Sequence, residues 1–328
     1  MNNIIYNFRK ERELKMNPLK HILKDFKVII LDGALATELE RRGCNIDDSL
    51  WSAKMLDENP KIIEDVHYDY FVSGADCAIT SSYQATLFGF MEKGFKEDEA
   101  IELIRLSVQV AKRARDRFWE NPLNRINRPK PLIAGSIGPY GAYLADGSEY
   151  IGHYNISEEE LMEFHRPRMK ILIEEGVDIL ACETIPSLVE AQAILKLLEE
   201  FPSVYGWISF SAKDELNISE GISIAKCAKY LDSNRQVAAI GVNCTPPKYI
   251  NSLIEQISKN SSKPIIVYPN SGEEYDGITK TWHGDSSSEA FSCSAKGWFD
   301  RGARLIGGCC RTTPEDIEST CKVLKNNL

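Results

Sequence analysis

No stretch of the 328-residue chain holds the roughly 20 consecutive apolar residues that a membrane-spanning helix needs. The N-terminus carries Arg9, Lys10, Glu11, Arg12 and Glu13 where a signal peptide has its ~7–15-residue apolar core, so a cytoplasmic protein is expected. A basic excess is missing as well: 39 Lys and Arg face 48 Asp and Glu, a formal charge of −9. That balance argues against a nucleic-acid binder, which needs a basic face for the phosphates, and against docking on anionic lipid. Small-molecule substrates are the partners that remain. No linker or shift of composition divides the chain. Hydrophobic residues at 43% and charged residues at 27% are ordinary for a folded protein, which excludes wholesale disorder.

Nine cysteines are present, an odd number in a long chain with no export mark, which is a poor basis for a disulfide framework. Cys44, Cys77, Cys182, Cys227, Cys293 and Cys321 read as small buried hydrophobes. Cys244, Cys309 and Cys310 stand apart because of where they fall in the pattern of the chain.

Residues 1–26 have mixed charge and weak periodicity and read as a peripheral extension, with Met16 inside it as a second candidate start. From residue 27 to 328 one pattern repeats. Short apolar runs end in small or polar residues and lead into longer segments of helical spacing. There are eight such runs: 28–31, 77–80, 132–136, 179–182, 204–210, 238–242, 265–268 and 304–307. Asn59-Pro60 reads as an N-cap with proline at the first helical position. Ser157 with Glu160, and Ser187 with Glu190, have capping-box spacing, and Thr313-Pro314-Glu315-Asp316 opens the last helix with acids in its first turn. Leu188, Ala191, Leu195 and Leu198 recur at intervals of three and four, an amphipathic face. Eight strand–helix alternations imply a parallel α/β sheet, and an eightfold count predicts a single (β/α)8 TIM-type barrel. A dinucleotide-binding doubly wound sheet is excluded in detail: Asp32-Gly33-Ala34-Leu35 follows the first run where G-x-G-x-x-G would stand.

Active sites of such barrels are built at the C-terminal ends of the strands. Those ends carry Asp32-Gly33, Ser81-Ser82-Tyr83-Gln84, Gly138-Pro139-Tyr140-Gly141, Glu183-Thr184, Asn243-Cys244, Asn270-Ser271-Gly272 and Gly308-Cys309-Cys310. Turn chemistry accounts for most of these residues. Three thiols on one rim are a different matter. Cys244 and Cys309 are 65 residues apart in sequence but converge if strands six and eight surround one end of the barrel, with Gly307 and Gly308 supplying backbone freedom. From position alone the three read either as ligands of a zinc ion with one open place or as small residues buried beside the last helix. Zinc with three thiolates carries a formal charge of −1 and is a weak Lewis acid toward water. A substrate thiol in the open place would still lose its proton and keep much of its nucleophilicity. Alkylation of that sulfur by a cationic electrophile suits such a site better than hydrolysis does.

These residues resemble a known family. Val242-Asn243-Cys244-Thr245 and Gly307-Gly308-Cys309-Cys310-Arg311-Thr312-Thr313-Pro314 are similar to the zinc motifs of homocysteine S-methyltransferases, as are Leu31-Asp32-Gly33-Ala34 and Cys182-Glu183-Thr184. The loops at residues 135–142, 145–150 and 268–273 resemble the branch that uses S-methylmethionine or S-adenosylmethionine more than the betaine-using branch. The resemblance runs from about residue 28 to the last helix. It implies a (β/α)8 barrel, zinc (Zn2+) on Cys244, Cys309 and Cys310, and the homocysteine thiolate as nucleophile, giving methionine. It further implies Glu183 on the substrate ammonium, with Asp32 and Gly33 near the carboxylate or the donor. Asn243 is expected to orient the site or its own turn, and Tyr83 or Gln84 to fill the open zinc place when substrate is absent. Tyr140 joins them as a candidate host for the donor, and Tyr143, Tyr268 and Trp282 are further rim aromatics, since a sulfonium cation is best hosted by aromatic faces. His153 and His283 read as loop residues, because no general base is required. Alternatives are transfer from betaine or methylcobalamin, and a purely structural zinc protein.

Overall fold

The computed structural model of the chain describes residues 16–272, the backbone of 274–276 and 281–283, and residues 287–325. Eight strands form one parallel sheet: β1 (Ile29–Ile30), β2 (Cys77–Ile79), β3 (Leu132–Ile137), β4 (Ile179–Ile185), β5 (Gly206–Phe210), β6 (Val237–Asn243), β7 (Ile265–Tyr268) and β10 (Ala303–Ile306). Each falls on one of the eight apolar runs. The remaining strands, β8 (Glu274–Asp276) and β9 (Thr281–His283), make an antiparallel hairpin between β7 and β10. The expected side chains of Glu273, Trp282 and His283 lie outside the described residues.

Around the sheet run α1 (Pro18–Asp25), α2 (Leu35–Arg41), α3 (Met55–Glu58), α4 (Pro60–Val72), α5 (Leu87–Glu92), α6 (Glu97–Glu120) and α7 (Tyr140–Leu144). They are followed by α8 (Glu158–Glu174), α9 (Leu188–Glu200), α10 (Ile224–Asp232), α11 (Pro247–Ser258), α12 (Ser288–Asp300) and α13 (Pro314–Lys325). Strand order is β1-β10-β7-β6-β5-β4-β3-β2, and the two ends meet through a parallel bridge between Leu31 and Cys77. With so short a ladder, two buried carboxylates complete the seam. Asp32 Oδ2 accepts from Ile79 N at 2.9 Å at the top, and Asp76 Oδ2 accepts from Ile30 N at 3.0 Å at the bottom, where Lys325 Nζ meets Asp76 at 2.7 Å. This is the predicted single TIM-type barrel.

Leu31, Ala134, Ala181, Trp207, Ala239 and Tyr268 fill the inside of the barrel. Leu19 and Ile22 of α1, in the segment read as a peripheral extension, belong to that same cluster. Asn17 caps α1 through Leu19 N at 3.0 Å with Pro18 behind it, and the weak periodicity of eight residues conceals two fully committed apolar positions. Residues 1–15 lie outside the described residues.

The helix signals hold with two exceptions. Ser157 and Glu160 form a reciprocal capping box on α8. Asn59 precedes Pro60 but makes no side-chain cap, its backbone being turned to φ −158° and ψ 72°. Ser187 Oγ accepts from Glu190 N at 3.0 Å, but the Glu190 carboxylate turns away to His165 and Tyr140. Cys77, Cys182 and Cys227 are buried as expected, whereas Cys293 is exposed on α12. Among the described residues no helix is long and apolar enough to cross a membrane.

Candidate metal centre

Cys244 follows β6, and Cys309 and Cys310 follow β10; β7 lies between and anchors both. Cys244 N donates to Tyr268 O at 3.3 Å, and Cys309 N donates to Pro269 O at 2.7 Å. Two segments distant in sequence thereby end two strand positions apart. Cys244 sits in the left-handed region, φ +47°, which swings its side chain over the mouth. Gly307 and Gly308 are needed for a different reason from the one expected. Neither has positive φ; instead a Cβ on Gly307 would lie 2.5 Å from Leu31 Cβ, and one on Gly308 2.6 Å from Thr312 Cβ. Close packing of the last loop against the end of β1, and of the loop upon its own Thr312, is what excludes a side chain.

The Cys244 sulfur lies 2.6 Å from that of Cys309 and 3.6 Å from that of Cys310, and all three lie within 4.8 Å of one another. The two Cys244 separations are shorter than the roughly 3.8 Å between sulfurs sharing a tetrahedral ion through 2.3 Å bonds, so the cluster would open slightly to hold one. Hydrogen bonds from Cys244 and Cys309 pull the Cys310 thiol below its ordinary range, and the same cluster, with burial, holds Cys309 above it. Three thiols this close cannot all ionise without a cation, and three soft sulfur donors suit zinc.

Glu183, at the end of β4, is 7% exposed and accepts from Ser136 Oγ at 2.5 Å. Burial raises its carboxyl to about 7, with the Tyr268 hydroxyl facing it as well. Asn243 is fully buried and holds Thr184, the residue after Glu183, by two hydrogen bonds of 2.7 Å. Asp32 is buried, raised by desolvation, and spends one oxygen on the barrel seam. Gly33 packs tightly on Tyr70 and Thr312.

The second-strand loop divides its two candidates. Tyr83 lies against Trp51, ring centroids 6.2 Å apart, with its hydroxyl turned to Thr184 and within the field of Cys244. Gln84 points elsewhere, its Nε2 donating to Ala142 O at 2.8 Å. The hydroxyl that reaches the sulfurs belongs to Tyr150, which donates to Cys244 Sγ at 3.7 Å. Its neighbour Glu149 is raised to about 7 by burial, and its Oε2 has no hydrogen-bond partner among the described residues. The sequence marks both only as part of the loop 145–150 that resembles the sulfonium-using branch, and assigns neither a role. Tyr140 stands in an aromatic cluster with Tyr154 and Phe164, at centroid distances of 5.5 and 5.0 Å. Tyr143 donates to Glu92 at 2.6 Å, and Tyr268 is no rim residue: it is 1% exposed inside the barrel, accepting from Trp207 Nε1 at 3.0 Å. His153 is a loop residue, 3.7 Å from Glu220.

Known proteins match this chain along nearly its whole length. The family model described as homocysteine S-methyltransferase covers residues 29–324. The chain belongs to the homocysteine S-methyltransferase family. Within that family it is 65% identical over 303 residues to the Bacillus subtilis homocysteine S-methyltransferase YbgG, spanning 92% of this chain and 96% of the relative. It is 47% identical over 304 residues to the homocysteine S-methyltransferase of Escherichia coli, spanning 92% and 96%. The metallated form of the Escherichia coli homocysteine methyltransferase MmuM superposes with a TM-score of 0.84 at 44% identity, covering 93% of this chain and 99% of that one. Membership makes this chain a methyl-transferring enzyme.

Proposed function

We propose that the protein transfers a methyl group from S-methylmethionine, or less efficiently from S-adenosylmethionine, to L-homocysteine, forming methionine, with zinc held by Cys244, Cys309 and Cys310. The observation that carries this reading is the meeting of three sulfurs within 4.8 Å at the strand ends, with buried acids around them. Zinc held there would supply the positive charge that keeps a substrate thiol in its deprotonated form.

The chain's own residues do the rest. Glu183 receives the substrate ammonium in a charge-assisted hydrogen bond, and the arriving cation ionises a carboxyl otherwise held near neutrality by burial. Ser136 and Asn243 keep Glu183 and Thr184 in place before substrate arrives. Asp32 and the Gly33 backbone line the opposite side, toward the substrate carboxylate or the donor. Tyr83 and Tyr140 offer aromatic faces to the sulfonium. The homocysteine sulfur displaces a neutral thioether from the methyl carbon: one C–S bond forms as the other breaks, and no general base takes part. Holding the two sulfurs in line is the main contribution of the scaffold. Nine free cysteines favour a reducing compartment, and we place the protein in the cytoplasm.

The test is methionine formation by the purified protein from homocysteine with S-methylmethionine, S-adenosylmethionine and betaine in parallel. The expected order puts S-methylmethionine first. Product from betaine alone overturns the donor, and no methionine from any donor overturns the reading.

A further inference from the structure

The loops after β2 and β3 carry Tyr83 and Tyr140, and one buried side chain from α8 holds both loops. Arg168 is 1% exposed. Its NH1 donates to Tyr83 O at 2.7 Å and to Ser82 O at 3.3 Å, and its NH2 donates to Gly138 O at 2.6 Å and to His165 Nδ1 at 3.1 Å. We propose that Arg168 is a positioning residue for the methyl-donor side of the site, locking the two loops into one wall that presents Tyr83 and Tyr140 to the sulfonium. This inference rests on the methyl-transfer reading above.

A buried guanidinium ordinarily sits on a carboxylate, because an unpaired charge away from water is costly. Here its direct partners are three backbone carbonyls and one imidazole, so the fork serves geometry first. The balancing charge stands one residue further along. Glu190, fully buried on α9, accepts from His165 Nε2 at 2.9 Å and from Tyr140 N at 2.6 Å through the same oxygen. His165 accepts from Arg168 on one ring nitrogen and donates to Glu190 from the other, which fixes it as a single neutral tautomer. A continuous chain therefore runs from the carbonyl of Tyr83 through Arg168, His165 and Glu190 to the amide of Tyr140. Both candidate donor residues are held by their own backbones at its two ends.

The consequence for Tyr83 is direct. Its ring lies over Gly138, where a Cβ would come within 2.7 Å of it, and its hydroxyl turns to Thr184 beside the thiols. With the Tyr83 carbonyl and the Gly138 carbonyl tied to one guanidinium, the Tyr83 backbone is held against the third-strand loop and its ring packs there on Gly138. Lysine cannot replace that fork: an ammonium is a point charge and cannot serve two carbonyl groups in fixed directions.

The test uses the full chain loaded with zinc. Two variants are compared with wild type: Arg168→Lys, and the double variant Arg168→Met with Glu190→Leu, which removes both buried charges together and so leaves neither uncompensated. The expected result in both is a KM for S-methylmethionine raised at least tenfold. The KM for homocysteine stays within twofold, and zinc per chain is unchanged by elemental analysis. Loss of general stability would not produce that split between substrates. An unaltered donor KM in a folded variant overturns the proposal, as does an equal rise for both substrates. Failure of both variants to fold overturns it as well, since the clamp would then hold the fold and not the donor loops. Wild-type turnover separates the two readings: absence of methionine from wild type counts against methyl transfer, whereas wild-type turnover with unchanged variants counts against the clamp alone.

Discussion

The side-chain amide of Asn243 grips Thr184 from both sides, its Oδ1 accepting from Thr184 N and its Nδ2 donating to Thr184 Oγ1, each at 2.7 Å. Thr184 has φ +58°, a conformation costly for a β-branched residue. The pair joins the end of β4, which bears Glu183, to the end of β6, which bears Cys244. Asn243→Ala would leave a buried amide without an acceptor and release the strained turn, for an expected loss of about 2–3 kcal/mol in urea unfolding. Asn243→Asp keeps the acceptor and is expected to lose less.

Removal of a ligand should empty the centre. Cys309→Ser is expected to lower zinc affinity at least a hundredfold and turnover with it, while melting at the temperature of the metal-free wild type. Elemental analysis and calorimetry check the two halves separately.

Glu183→Gln keeps an acceptor for Ser136 but discards the charge. A charge-assisted hydrogen bond contributes about 1.5–3 kcal/mol, so KM for homocysteine should rise about 10–100-fold with zinc content unchanged. Steady-state kinetics at saturating donor reads this directly.

The packing of Gly308 predicts a metal defect with no ligand altered. A Cβ there would stand 2.6 Å from Thr312 Cβ, and Thr312 Oγ1 donates to Cys309 O at 2.6 Å. Gly308→Ala should displace the turn that carries Cys309 and Cys310 and weaken zinc at least tenfold in competition with a chromophoric chelator.

His67, on α4 and 1% exposed, has neither ring nitrogen hydrogen-bonded among the described residues, and burial lowers its pKa to about 4. The unfolded chain therefore binds the extra proton between about pH 6.5 and 4, and the stability His67 contributes above that window is lost as pH falls through it. His67→Leu should reduce the difference in unfolding free energy between pH 7 and pH 4.5 by about 2–3 kcal/mol.

Much of the architecture was readable in one dimension. A strand and the helix that follows it are written in local spacing: apolar runs, a serine with a glutamate three residues on, a proline at a helix start. Eight repeats of that unit leave few ways to arrange a parallel sheet, and the barrel places every strand end on one rim. The thiol triad followed from that rule together with the residue types at residues 244, 309 and 310. Local reading failed where a side chain had two uses. Glu190 has the spacing of a capping box, but its carboxylate serves His165 and Tyr140; Gln84 stands beside Tyr83 in sequence but spends its amide on Ala142 O.

The chain by itself determined the repeat, the order of the strands and which chemical groups arrive at the mouth, because these depend on hydrophobic period and on residues near one another. Only the closed barrel decided that Tyr150 reaches Cys244, that Asn243 steadies Thr184, and that Arg168 ties two loops together. Those partners are 94, 59 and 85 residues apart. Their meeting is set by strand register and loop direction, and local propensity carries no trace of either.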